Sequence, residues 1–260
     1  MKRIVPLVLI LILAVGIAPI GVGLVPPPDL SSIPNIYSPN IDITINNQGQ
    51  AVIPSLDIQG DTILLLDISS SMKDRGGKRR AAPFTAMKQT ARLLCRMILE
   101  DNPDNRVAIV TFTTRPQLAS NFVDADSLSS LNSLINGLKV RSRTRRDTNL
   151  DRAIIAVDEF FDASSSADER NIIVLTDGLP NLISPKRVRS APSTPFVSTE
   201  HKHFREANTT VATFEPLRNK YTIYPIAFAH KTNVIVSEQA KGKEAAAIEK
   251  FMQNIATPIG

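Results

Sequence analysis

Thr62-Ile63-Leu64-Leu65-Leu66-Asp67-Ile68-Ser69-Ser70-Ser71-Met72 is an apolar run that ends abruptly in an acid and a cluster of hydroxyls. Five apolar or β-branched residues without a polar interruption suit a strand buried on both faces of a parallel sheet. The chemistry starts where that strand ends, and in open α/β sheets ligand sites lie outside the carboxyl ends of the strands. Asp67, Ser69 and Ser71 stand at alternate positions and offer only oxygen. Hard divalent cations take such donors in preference to softer metals.

Downstream of this strand the chain alternates between apolar runs and amphipathic stretches. Pro83 to Glu100 reads as a helix with Phe84, Met87, Ala91, Leu94, Cys95 and Ile98 on one face. Residues 107–112 read as a second buried strand, 118–123 as a short edge strand, and 125–138 as a helix. A further helix is expected over 149–161, with Leu150, Ile154, Val157 and Phe161 on one stripe. Asn171-Ile172-Ile173-Val174-Leu175-Thr176 repeats the character of the first strand and also ends in an acid, Asp177, before a Gly178, Pro180 and Asn181 turn. Residues 185–198 read as a long surface loop, 199–219 as holding a helix, 221–229 as a strand and 236–255 as a last amphipathic helix. This alternation predicts an α/β fold, a mostly parallel sheet with helices on both faces.

Upstream, Met1-Lys2-Arg3 is followed by an uncharged apolar stretch from Ile4 to Val25. A bilayer span needs about 20 such residues, so residues 1–25 read as a signal anchor, with a cleaved signal peptide as the rival at Gly16-Ile17-Ala18. Either way the positive start stays in the cytoplasm and the rest is exported. Residues 26–60, opened by Pro26-Pro27-Pro28, read as a Pro-rich linker. Within it, residues 41–45 alternate with period 2, Asn46-Asn47-Gln48-Gly49 signals a turn, and residues 51–53 could return as a hairpin strand. Residues 61–260 then form the main domain.

Composition excludes several classes. With 260 residues there is room for one sizeable domain and a small extra segment. Cys95 is the only cysteine, which rules out a disulfide or a thiolate zinc site within the chain, and its apolar neighbours read as core packing. There is no Trp and there are three Tyr, too few for a base-stacking platform.

Taken in order, Asp67-x-Ser69-x-Ser71, then Thr148 in a polar turn before a helix, then Asp177 in Thr176-Asp177-Gly178 resemble the von Willebrand factor type A family and its metal-ion-dependent adhesion site. The resemblance covers roughly residues 61–260. It implies a Rossmann-like sheet with one magnesium-type ion (Mg²⁺, or Mn²⁺ or Ca²⁺) at its top. Ser69 and Ser71 would bind the ion directly, and Thr148, Asp67 and Asp177 directly or through water. One coordination position would be left for a Glu or Asp carboxylate of a partner protein. Two departures stand out. Ser70 replaces a frequent Gly, and Arg146-Asp147 replaces small residues before Thr148, which puts Asp147 and Asp151 beside the site. The chain also runs to Gly260 without a last edge strand that the family often has, so the sheet is expected to be one strand short. The rival reading makes Thr148 an ordinary helix N-cap.

The loops expected at the metal end are basic: Arg75, Arg79 and Arg80 after the first strand, Arg143, Arg145 and Arg146 before Thr148, and Lys186, Arg187 and Arg189 after Asp177. Such a rim would attract an acidic protein surface or an anionic envelope component, with a salt-dependent rate. Nucleic acid is a poor partner for an exported domain. The site has no evident general base and no nucleophile paired with a histidine, and no P-loop occurs, so a binding function is expected and not an enzyme. The expected role is adhesion or scaffolding at the cell envelope, with a Tad-type pilus assembly component as the alternative, because residues 220–229 and the long insertion before them look similar to domains of those proteins.

Overall fold

The computed structural model describes residues 35–46, 51–73, 83–140, 147–182, 203–229 and 238–258. In chain order its elements are β1 (Asn35–Tyr37), β2 (Thr44–Ile45), β3 (Ala51–Val52), β4 (Asp61–Asp67), α1 (Pro83–Asp101), β5 (Arg106–Phe112), β6 (Pro116–Val123), α2 (Leu128–Gly137), α3 (Leu150–Ser164), β7 (Arg170–Thr176), α4 (Phe204–Phe214), β8 (Thr222–Ala229) and α5 (Glu238–Ile255).

All seven residues of β4 are buried. Successive side chains of a strand point to opposite faces, so this requires cover on both. Ile63 and Leu65 pack with Ile154 and Phe161 of α3, Val211 of α4 and Phe251 of α5. Leu64 and Leu66 pack on the other side with Met87 and Leu94 of α1 and Leu131 and Ile135 of α2. The apolar run with no polar alternation is thus the signature of a central strand between two helical layers.

The sheet has six strands in the order β1-β8-β7-β4-β5-β6. The pairs β4–β5, β4–β7 and β7–β8 are parallel, while β1 on β8 and β6 on β5 are antiparallel. The chain leaves β4 toward β5 on one side and returns to β7 on the other. That reversal opens a crevice at the carboxyl ends of β4 and β7, the place where α/β sheets hold ligands.

The end of the sheet away from this crevice is tied by polar side chains. Arg106 grips Asp61 through Nε at 2.8 Å and Nη2 at 2.6 Å. The fully buried Asn105 donates to the carbonyls of Ile58 at 2.9 Å and Ile98 at 2.8 Å and accepts from Gly60 N–H at 2.7 Å. This lashing fixes the start of β4 and leaves its other end to carry the site.

Residues 35–46 and 51–58 fall inside the stretch read as linker, yet they contribute structure. β1 pairs with β8 in the register Asn35↔Ala229 to Tyr37↔Ala227. It occupies the sheet position beyond β8, where a strand was expected to be missing. β8 carries Pro225, which has no N–H to give a ladder and suits a strand that β1 covers only at Ala227–Ala229. Asn40 Nδ2 then donates to Thr257 O at 2.8 Å. The small hairpin exists as β2 and β3, paired Thr44↔Val52 and Ile45↔Ala51, two residues per strand. Ile41, Ile53 and Ile58 bury in the same core cluster as Tyr224, Ile226 and Phe228 of β8. The expected helix over 199–219 is α4 followed by a 3-10 turn at Pro216–Asn219, since Pro216 cannot continue an α-helix. Among the described residues no helix is long and apolar enough to cross a membrane. The stretch 1–25 and the loop 185–198 lie outside the described residues.

Candidate metal centre

Asp67 is the last residue of β4 and is fully buried. Its Oδ1 accepts from Ser69 N–H at 2.8 Å and its Oδ2 from Thr176 Oγ1 at 2.7 Å. The first bond turns the chain back on itself directly after the strand, and the second ties β4 to β7. Ser69 stands at the N-cap of a 3-10 turn, Ser70–Met72, whose Met72 is sunk in the core. A 3-10 turn brings nearby residues onto one side within a short rise, and here Ser69 Oγ and Ser71 Oγ lie 2.8 Å apart.

Thr148 arrives from the other side. The Asn149 N–H donates to Thr113 O at 2.9 Å, just past β5. The N-cap of α3 is Asn149, whose side chain accepts from Arg152 N–H at 2.9 Å. The rival assignment of Thr148 as the cap is therefore displaced by one residue, and the Thr148 hydroxyl instead donates to Ser69 Oγ at 3.2 Å. Asp177 follows β7, and its Oδ1 accepts from Ser71 Oγ at 2.9 Å.

Five oxygen-bearing side chains, Asp67, Ser69, Ser71, Thr148 and Asp177, thus come together from three loops. A hydroxyl has one proton to give. Thr148 gives its proton to Ser69 and Ser71 gives its own to Asp177, so the Ser69 proton points to Ser71. The chain of hydroxyls thus runs from Thr148 to the Asp177 carboxylate. Burial, and secondly the charge of Asp177, push the Asp67 carboxyl up to about 7, against the opposing bonds from Ser69 and Thr176. Two carboxylates with little solvent between them favour a positive guest. Two acids and three neutral hydroxyls fit a small hard dication, which balances its charge on the carboxylates and completes its shell with hydroxyls and water. Among the described residues no three His, Cys, Asp or Glu side chains gather, so the site offers two carboxylates and otherwise hydroxyls.

The other residues singled out by sequence divide. Asp147 is exposed beside Thr148. Asp151 is fully buried in the first turn of α3 and accepts from Thr213 of α4 at 2.5 Å, so one of its oxygens serves helix packing. Ser70, where the family often has Gly, is half-buried within the 3-10 turn. Arg75, Arg79, Arg80, Arg143, Arg145 and Arg146, with Lys186, Arg187 and Arg189, lie outside the described residues. Thr176 and Asn181 were not anticipated as part of the site. Asn181 Oδ1 accepts from Thr148 N–H at 2.7 Å, and Asn181 N–H donates to Thr148 O at 3.2 Å. The Thr-Asp-Gly and Pro-Asn turn signals placed both residues at a strand end, but nothing in the sequence pairs them with Asp67 or Thr148.

The chain is similar in fold to domains of two bacterial pilus proteins. The von Willebrand factor domain of the type V pili tip protein Mfa5 from Porphyromonas gingivalis superposes with a TM-score of 0.51 at 16% identity, covering 78% of this chain and 88% of that one. A structure of three N-terminal domains of the same protein gives 0.52 at 15% identity and covers 84% of this chain, which spans 50% of that one. The minor pilin PilB from Streptococcus sanguinis gives 0.53 at 15% identity, covering 80% of this chain and 57% of that one. No curated protein matches the sequence. The family model of the von Willebrand factor type A domain matches residues 62–179, which runs from the first residues of β4 through Asp177. Residues 62–179, the span from β4 through Asp177, accordingly match the von Willebrand factor type A domain model.

Proposed function

We propose that this domain is a non-catalytic, metal-dependent binding module. Asp67, Ser69, Ser71, Thr148 and Asp177 would hold one divalent cation, Mg²⁺ in the first instance, with Mn²⁺ or Ca²⁺ as substitutes. The observation that carries the reading is the convergence of these five oxygen donors in one hydrogen-bonded chain at the switch point of the sheet. A bound dication would supply an outward coordination position for a Glu or Asp carboxylate of a partner protein. The protein's own part is to hold the donors in place on three loops fixed by a rigid sheet. The non-catalytic reading is supported by the engagement of Asp67 with Ser69 and Thr176 and by hydroxyls that face each other or Asp177.

The setting proposed is the cell envelope, with residues 1–25 as anchor or signal and residues 26–34 as a short spacer. The basic side chains Arg75, Arg79, Arg80, Arg143, Arg145 and Arg146 would favour an acidic partner. A second reading, a component of a surface pilus, is supported by the fold shared with a pilus tip protein and a minor pilin.

Calorimetric titration of Mg²⁺ and Mn²⁺ into the full chain tests the site. Saturable binding of one ion is expected, abolished in Asp67→Ala and Asp177→Ala variants that keep the far-ultraviolet spectrum of the parent. Equal binding by parent and both variants would overturn the assignment.

A further inference from the structure

Thr148 is held by a clamp that the donor set alone does not require. Its N–H donates to Asn181 Oδ1 at 2.7 Å, and its carbonyl accepts from Asn181 N–H at 3.2 Å. A single residue therefore satisfies both main-chain groups of Thr148. Asn181 lies in the loop that starts with Asp177, four positions on, and follows the buried Pro180. A proline ring fixes one of the two soft backbone angles, so this short loop has little freedom to adjust. The reciprocal bonds make the Thr148 turn and the Asp177 loop one body. They set how far apart the Thr148 hydroxyl and the Asp177 carboxylate stand, while each reaches the Ser69–Ser71 pair from its own side.

We infer that Asn181 is a positioning residue that sets the size of the metal site, and thereby its preference for Mg²⁺ over Ca²⁺; this rests on the metal reading above. Mg²⁺ demands a near-ideal octahedron at about 2.0–2.1 Å, whereas Ca²⁺ accepts looser shells at about 2.3–2.6 Å. A donor whose place is no longer fixed costs Mg²⁺ more than Ca²⁺. Groups that orient ligands without touching the metal are worth about 10–100-fold in affinity.

The test uses the full chain and the metals alone. Asn181→Leu removes the acceptor, and Asn181→Asp retains it. In the leucine variant, Mg²⁺ affinity should fall by about tenfold or more while Ca²⁺ affinity falls less. Amide hydrogen exchange at Thr148, measured without metal, should accelerate. Asn181→Asp should keep both the slow Thr148 exchange and the Mg²⁺ preference. If the parent binds metal and the leucine variant binds Mg²⁺ and Ca²⁺ in the parental ratio, the inference is overturned and the metal site stands. If the leucine variant does not fold, the aspartate variant decides: loss of Mg²⁺ preference with slow Thr148 exchange retained would sink the positioning role. A parent that binds neither ion overturns the metal reading, and the selectivity claim with it, a result separable from the exchange data on the clamp itself.

Discussion

Gly60 shows how strictly a single position can be set. It has a φ of 82°, the only positive φ among the described residues. A Cβ built on it would lie 2.2 Å from the Glu169 carbonyl oxygen, which itself accepts from Asp61 N–H at 3.0 Å. Both the backbone angle and the contact reject a side chain, so Gly60→Ala should cost about 2–4 kcal/mol in urea unfolding. A change below about 0.5 kcal/mol would mean the loop relaxes freely. Asp67 makes the complementary case, because its cost is electrical. Asp67→Asn keeps the shape, removes the buried charge and should fold as well as the parent without metal. Any rise in melting temperature that the parent shows with Mg²⁺ should vanish. At this scale the sequence was most informative about placement: Asp67, Ser69, Ser71 and Asp177 stand at strand ends that an apolar run announces. Thr176 and Asn181 stayed hidden, because Thr176 acts through one hydrogen bond and Asn181 through two, each to a residue far away in the chain, and hydrogen-bond partners leave no periodicity.

Elements were legible in proportion to how much they bury. β4, β5 and β7 read directly as unbroken apolar strands, and α1 as a stripe ending in Cys95 and Ile98. Cys95 sits inside that stripe, and burial pushes its thiol up to about 12. A maleimide at pH 8 should therefore leave the native protein unlabelled and modify it only in denaturant, as a mass spectrum would show. α3 was placed correctly, but the rival reading put its cap at Thr148, one residue early: Thr148 and Asn149 are both good capping residues, and it is the Asn149 side chain that accepts from Arg152 N–H. Asn149→Ala should lower stability by about 1 kcal/mol through the lost cap. It should leave Mg²⁺ binding in a titration near the parental value, since the bond that anchors the Thr148 turn, Asn149 N–H to Thr113 O, is main-chain and survives the substitution. β1 could not be read at all from pattern. Three residues, Asn35-Ile36-Tyr37, are too few to carry an alternation, and their strand character comes from the open edge of β8.

The whole molecule accordingly begins earlier than a composition boundary suggests. Removing residues 1–40 would strip β1 from β8 and take away the Asn40 bond to Thr257. An uncovered strand edge invites pairing with another chain. The truncated protein should melt lower than the full chain and self-associate in sedimentation, whereas a cut at residue 34 that spares β1 should do neither.

The direction of β1 also fixes how the domain bears a pull. Asn35 faces Ala229, at the carboxyl end of the parallel strands, the same end that carries Asp67 and Asp177. Asn35 therefore enters the sheet at the end that carries the site, and Thr257, bonded to Ile223, marks the opposite end. A pull applied ahead of Asn35 against a hold on the site would act on the outermost pair of β1 first and peel the strand from β8 one pair at a time. A three-residue strand loaded in this way yields like a zip and not like a bolt in shear. It would release the edge of β8 while the lashed far end of the sheet, at Asp61, Asn105 and Arg106, stays closed.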